Sequence, residues 1–222
     1  AKNILSFTGY EELGMCSLST SDYCGLPNLL DELLDWTEER HVNLSLPSLR
    51  VDNFDEDLLE KITRVKKSGL TFAPEAGTQR LRDVINKNIT EENVLATCRT
   101  AFMGGYTTVK LYFMMGHPTE TDEDIIGIAN LAQKVVDLFY NLPNRPRGKA
   151  VSVNISVACF VPKPFTPFQF EPQDSVEMFE KKQKLLLSTA RNRKISVSYH
   201  DAITSQLEAL LARGDRRVGA VI

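Results

Sequence analysis

Along the 222 residues, short apolar runs alternate with longer stretches in which apolar residues recur every three or four positions. "LGMCSLS" (13–19) has strand character. "LPNLLDELLDWTEER" (26–40) follows, with Leu29, Leu30, Leu33, Leu34 and Trp36 forming one stripe of an amphipathic helix. "HVNLSLPSL" (41–49) is again strand-like, and 54–67, acidic at its start and basic at its end, suits a helix with a compensated dipole. The pattern then predicts strands at "LTFAPE" (70–75), 108–116, 150–161 and 195–200. Helices are predicted over 79–87, 90–103, 121–139, 175–191 and 202–213. Thr90 and Thr121 stand where N-caps belong, although Asn93 occupies the place where a capping box prefers Glu or Gln. Strand–helix alternation with connections this long requires parallel pairing and right-handed crossovers, hence a barrel or a doubly wound sheet of about six strands. The opening "AKNILSFTG" reads as the tail of a helix whose own strand is missing.

Composition adds few constraints. With 42% hydrophobic and 25% charged residues the chain is that of an ordinary globular domain, long enough to bury a core without disulfide staples. A net charge of −3 gives no support for nucleic-acid contact, and the basic cluster Arg213, Arg216 and Arg217 reads more readily as a solvated helix end. No membrane span and no secretory pattern is visible, so a cytoplasmic location is expected. Cys16, Cys24, Cys98 and Cys159 have no metal-ligand spacing and read as reduced structural thiols; the histidines, His41, His117 and His200, are equally scattered.

In parallel α/β folds ligands gather at the carboxyl ends of the strands. Those positions here are Ser19, Thr20 and Ser21; Ser48 and Arg50; Glu75, Gly77 and Thr78; Gly116, His117 and Glu120; Phe160, Val161, Pro162 and Lys163; and His200 with Asp201. Glu75 is the most pointed of them, a carboxylate set between Pro74 and Gly77. As an acceptor-only group it suits two adjacent hydroxyls, as on a ribose, with Gly77 permitting close approach of a ligand. It suits equally a cap for the helix beginning at Gln79, or a pair with Arg80 or Arg82. "GHPTET" (116–121) is explained mostly as a turn followed by a helix cap. No dinucleotide fingerprint, P-loop or Ser/His/Asp arrangement is present.

At these residues the sequence resembles the radical S-adenosylmethionine (SAM) superfamily. "FAPEAGTQRLRDVINKNIT" is similar to its fourth-strand segment, "VKLYFMMGHPTETDED" to its fifth-strand motif, "ACFVPKPFTPFQ" to its sixth-strand segment and "SLSTSDY" to its second-strand motif, in the family's order. "PEAGTQRLR", "YHD" and "ARGDRR" resemble most closely uncharacterised bacterial members that carry an N-terminal cobalamin-binding domain; methylthiotransferases match less fully. One departure is large. The C-x3-C-x2-C loop that ligates a [4Fe–4S] cluster is absent, so the chain resembles a core that begins just after that loop.

The resemblance implies a partial (β/α)6 TIM-like barrel of parallel strands, lacking its first strand, with the core over 1–194 and a strand–helix extension of the same domain over 195–222. It implies SAM as cofactor, a [4Fe–4S] cluster held elsewhere in the intact protein, cobalamin through another domain, and a reductant such as flavodoxin or ferredoxin. Reductive cleavage of SAM to a 5′-deoxyadenosyl radical would serve methyl transfer or methylthiolation of an unidentified substrate. By the same resemblance Glu75 holds ribose; Ser19, Thr20 and Ser21 approach the methionine amino group. Gly77 and Thr78 flank the ribose site. Gly116 and Glu120 shape a turn near adenine, on which Phe160, Val161 and Pro162 pack. Arg50, Arg82, Lys87 and Lys110 are candidates for the methionine carboxylate or substrate. The rival reading is a catalytically idle barrel that binds RNA or protein; an aldolase-type barrel is disfavoured, because Lys110 alone stands out as a lysine on a strand.

Overall fold

The computed structural model describes residues 1–14, 23–45, 61, 70–143, 148–220 and 222. Helix α1 (Lys2–Thr8) leads to strand β1 (Glu12–Gly14), helix α2 (Leu26–Glu39) and strand β2 (Asn43–Ser45). β1 and β2 pair in parallel, Leu13 opposite Leu44. The expected helix over 54–67 and the remainders of the first two strands lie outside the described residues.

From Leu70 onward the alternation follows the pattern. Strand β3 (Leu70–Glu75), the short helix α3 (Gln79–Val84), helix α4 (Glu91–Met103), strand β4 (Thr108–Met115), helix α5 (Asp122–Asn141), strand β5 (Ser152–Cys159), helix α6 (Val176–Thr189), strand β6 (Ile195–Tyr199) and helix α7 (Ala202–Arg213) succeed one another. β3, β4, β5 and β6 form a four-stranded parallel sheet in that order. β6 pairs with β5 from Val153–Ile195 to Val157–Tyr199, which makes the C-terminal strand part of this sheet.

Local chemistry sets most helix starts. Thr78, Thr90, Ser175 and Asp201 cap α3, α4, α6 and α7 with their side-chain oxygens. At α4 the capping box is complete with Asn93 in the Glu/Gln position. Its amide oxygen accepts the Thr90 N–H at 2.8 Å, and Thr90 Oγ1 accepts the Asn93 N–H at 3.1 Å. An asparagine is shorter than a glutamate but still spans this gap.

The fold comprises two compact units, Ala1–Ala73 with Ile89–Lys110 and Val135–Ser152, and Pro74–Asn88 with Leu111–Lys134 and Val153–Ile222. In the first, Val94, Cys98, Ala101 and Phe102 of α4 are buried, and Phe102 meets Phe139 edge-on at 5.1 Å. In the second, Leu111, Phe113 and Met115 of β4, Val153, Ile155 and Val157 of β5, and Phe179 and Leu186 of α6 are buried. The alternate strand positions are more open and more polar: Glu75, Tyr112, Asn154, Ser196 and Ser198. Among the described residues no helix is long and apolar enough to cross a membrane.

Candidate functional site

Strand β3 ends in a strained residue. Glu75 has φ +68°, a left-handed conformation that a non-glycine side chain enters at a cost. Its carboxylate is not used to start α3. Thr78 does that, accepting the Leu81 N–H at 3.3 Å while its own hydroxyl donates to Asp124. The helix-cap reading of Glu75 is thereby corrected: a carboxylate three residues before the cap is displaced by the nearer hydroxyl. Nor does Glu75 pair with Arg80 or Arg82. Arg80 pairs with Asp124, and the buried Arg82 donates to the Ala76 carbonyl at 2.9 Å and to Gln79 Oε1 at 3.2 Å, which ties it into its own turn. The partner of Glu75 is Lys87, 3.5 Å away, and each of the two side chains is 31% exposed.

Gly77 does permit a close approach, but of the chain itself. A Cβ there would lie 2.3 Å from both the Asp124 carbonyl oxygen and the Ile128 nitrogen of α5. The side of Gly77 that the sequence assigned to a ligand is filled by helix backbone.

The turn after β4 is held from two directions. Gly116 takes φ +89°, and Phe179 occupies the place where a side chain would stand. Its N–H donates to Glu120 Oε2 at 2.7 Å; Lys182 Nζ donates to the same oxygen at 2.7 Å and to Asp174 Oδ2 at 2.6 Å. Burial pushes Glu120 up, against the lowering effect of Lys182 and the Gly116 N–H. Burial would lower Lys182, but its two carboxylate partners outweigh this and raise it. On the far side, Arg80 donates to the Thr119 carbonyl at 2.9 Å, and Asp124 accepts the Thr121 N–H at 2.8 Å. Burial pushes Asp124 up, yet hydrogen bonds from Thr78, Thr121 and Arg80 hold it below the usual range.

Between these anchors sits His117, 8% exposed, with neither ring nitrogen hydrogen-bonded. Burial drives its pKa from 6.5 to about 4; the Glu75 main chain is near enough to oppose this without hydrogen-bonding geometry, and Lys182 adds to the lowering. Its ring lies 5.6 Å from that of Phe160. Phe160 follows β5, donates its N–H to the Met115 carbonyl at 2.8 Å, and meets Phe168 edge-on at 6.2 Å. Phe160, Val161 and Pro162 are all buried. After Pro162 the proline-rich segment leaves the extended conformation. It coils through turns in which Thr166 donates to the Lys163 carbonyl at 2.7 Å and Phe165 takes φ +61°.

Of the remaining expected site residues, Ser19, Thr20, Ser21 and Arg50 lie outside the described residues. Lys110 occupies a half-buried position on β4. Lys182 and Asp174 were missed by sequence reasoning, although a signal existed. Lys182 falls on the same helical stripe as the apolar Phe179 and Leu186, where a lysine needs a buried anion.

Fit to the expected groups is mixed. An open carboxylate at one strand end and an unmet, buried imidazole at the next suit a polar organic ligand such as SAM. For a cluster the described donors do not fit. Cys24, Cys98 and Cys159 are free, burial pushes Cys98 up to about 12, and among the described residues no group of His, Cys, Asp and Glu is placed to hold a metal.

The chain belongs to the radical SAM superfamily, whose sequence profile matches residues 7–132. Members of this superfamily are generally enzymes, and SAM and a [4Fe–4S] cluster are the groups membership implies. An uncharacterised archaeal protein of Methanocaldococcus jannaschii is 34% identical over 207 residues, 93% of this chain. The chain spans 42% of that relative's length. Two solved structures share the fold. Elp3 of Methanocaldococcus infernus superposes with a TM-score of 0.54 at 10% identity, covering 97% of this chain and 58% of its own. The methyltransferase TsrM of Kitasatospora setae, solved with cobalamin and a [4Fe–4S] cluster bound, gives 0.51 at 14% identity, covering 69% and 29%.

Proposed function

We propose that this chain is the SAM-binding core of a radical SAM enzyme, with Glu75 as the ribose-holding residue. The observation that carries this is the state of Glu75. It is strained, half-open, stands at a strand's carboxyl end, and is free of the capping duty its position suggested. Strain of this kind persists where the surroundings over-determine it, commonly at ligand sites. Lys87, 3.5 Å away, gives the carboxylate a partner that helps to aim it. Lys87 and Lys110 remain the described candidates for the methionine carboxylate or substrate, with Ser19, Thr20, Ser21 and Arg50 as their proposed counterparts. Phe160, Val161 and Pro162 supply apolar surface for adenine beside the Gly116 turn that Glu120 holds.

The family's chemistry, reductive cleavage of the sulfonium at a [4Fe–4S] cluster, belongs to groups the described residues do not hold. What these residues do is bind, orient and exclude water. Cobalamin-dependent methyl transfer or methylthiolation, fed by a flavodoxin- or ferredoxin-type reductant, is the reaction proposed for the intact protein. The cobalamin in TsrM supports that choice.

The test is Glu75→Gln in the intact protein, titrated calorimetrically with SAM and melted without it. Charge-assisted bonds are worth roughly 1.5–3 kcal/mol each, so affinity should fall at least about tenfold. Stability should shift by less than about 1 kcal/mol, because the Glu75–Lys87 pair is part-exposed. Unchanged affinity with a lowered melting point would make Glu75 a structural residue and remove the reading.

A further inference from the structure

We propose that His117 is the residue that reads the purine of the bound nucleoside, its imidazole making a hydrogen bond at the adenine edge. The inference rests on the SAM-binding reading above and extends it to a side chain that reading leaves without a role.

The first support is an unmet need. Among the described residues, His117 has both of its polar side-chain atoms buried and unbonded. A buried polar group without a partner is costly, and in folded proteins such a group calls for an absent water or ligand as its explanation. The second is protonation state. Burial and the Lys182 charge keep the ring neutral at pH 7, so it presents one donor and one acceptor. The two ring nitrogens point apart, so one of them meets the adenine edge, either as an N–H to N1 or N7 or as a bare nitrogen accepting from the 6-amino group. Such a ring does not answer a phosphate or carboxylate, which a neutral imidazole would not attract. The third is place. His117 stands on the turn after β4, next in the sheet to β3 with Glu75 at its end, and its ring touches Phe160 after β5. Ribose, base edge and base face would thus be met at three neighbouring strand ends. The turn is pinned through Gly116 and Glu120 on one side and through Arg80 and Thr119 on the other, so the ring is presented by a fixed backbone. Arrival of the base requires Phe160 to exchange its contact with the imidazole for contact with the purine face.

The experiment compares three ligands on the intact protein by calorimetry: S-adenosylhomocysteine, its counterpart lacking the 6-amino group, and its 7-deaza counterpart. The wild-type protein should bind at least one of the altered ligands roughly tenfold more weakly than the parent, the worth of one good hydrogen bond at a buried site. His117→Phe should bind parent and altered ligands alike, with a melting point no lower than wild type, because it removes two unmet polar atoms. His117→Gln, which keeps a donor and an acceptor, should restore part of the discrimination. If His117→Phe retains the wild-type discrimination, His117 is a core residue and the inference falls while SAM binding stands. If the wild-type protein binds none of the three ligands, the SAM reading falls and takes this inference with it.

Discussion

At Gly77 the clearance is less than that of one methyl group. A Cβ would meet α5 backbone at 2.3 Å, and at the facing Gly127 a Cβ would meet Gly77 at 2.9 Å. Backbone on both sides leaves nothing flexible to give way. Gly77→Ala is therefore expected to cost about 3 kcal/mol, seen as a lower denaturant midpoint at unchanged slope, and Gly127→Ala less. Sequence placed a glycine of consequence here and named the wrong neighbour. The reason is physical: a strand end announces its need for space locally, but what fills the space lies some 50 residues on, in α5. Glu75 shows the same division. Its exposure at a strand terminus was legible; its left-handed backbone was not, nor was its pairing with Lys87, which depends on Asn86 and Lys87 closing the turn after α3.

At the scale of elements, α6 works as a clamp on the turn after β4. Lys182→Met would leave Glu120 and Asp174 without their shared cation. Removing one partner of a buried ion pair typically costs about 3–5 kcal/mol. Adding Glu120→Gln should recover part of that loss, and the non-additivity in a thermal or denaturant cycle is the measurable sign of the coupling. Caps were the most legible features at this scale. Thr90 was read from local spacing alone and caps α4, whereas at Thr121 it is the Asp124 carboxylate that accepts, from both the Thr121 N–H and its hydroxyl. The path of the proline-rich segment was not legible. Proline fixes its own φ and biases the residue before it, but it does not announce the positive φ of the residue that follows, as at Thr119, which Arg80 holds, and at Phe165, whose N–H donates to Gln169. α3 is also shorter than its pattern, ending at Val84 because the chain turns at Asn86 with φ +54°.

For the whole molecule, acid sensitivity follows from His117. Its folded pKa lies near 4 against an ordinary 6.5, so the unfolded chain binds the extra proton between those values. The stabilisation is full above pH 6.5 and is lost as pH falls toward 4, at most about 3 kcal/mol. Asp124, held low by its hydrogen bonds, loses stability in the same direction. The His117 share is separable: His117→Phe should flatten the melting temperature against pH between 4 and 6.5, and a slope that stays as steep would assign the effect to carboxylates instead. The alternation of strands and helices from Leu70 onward was visible in hydrophobic periodicity, and so was parallel pairing, because crossovers of that length admit nothing else. Less visible was that β5 and β6 read apolar–polar in strict alternation, "SVNIS" and "ISVS", although parallel strands usually pack apolar residues on both faces. Asn154 and Ser196 bond to each other at 2.6 Å on that second face. Such a division lets selection act on the two faces separately. Exchanges among serine, asparagine and threonine on the open face change its hydrogen bonding, while Val153, Ile155 and Val157 behind them go on fixing register and stability. That face could diversify by single steps without the chain first passing through an unfolded ancestor.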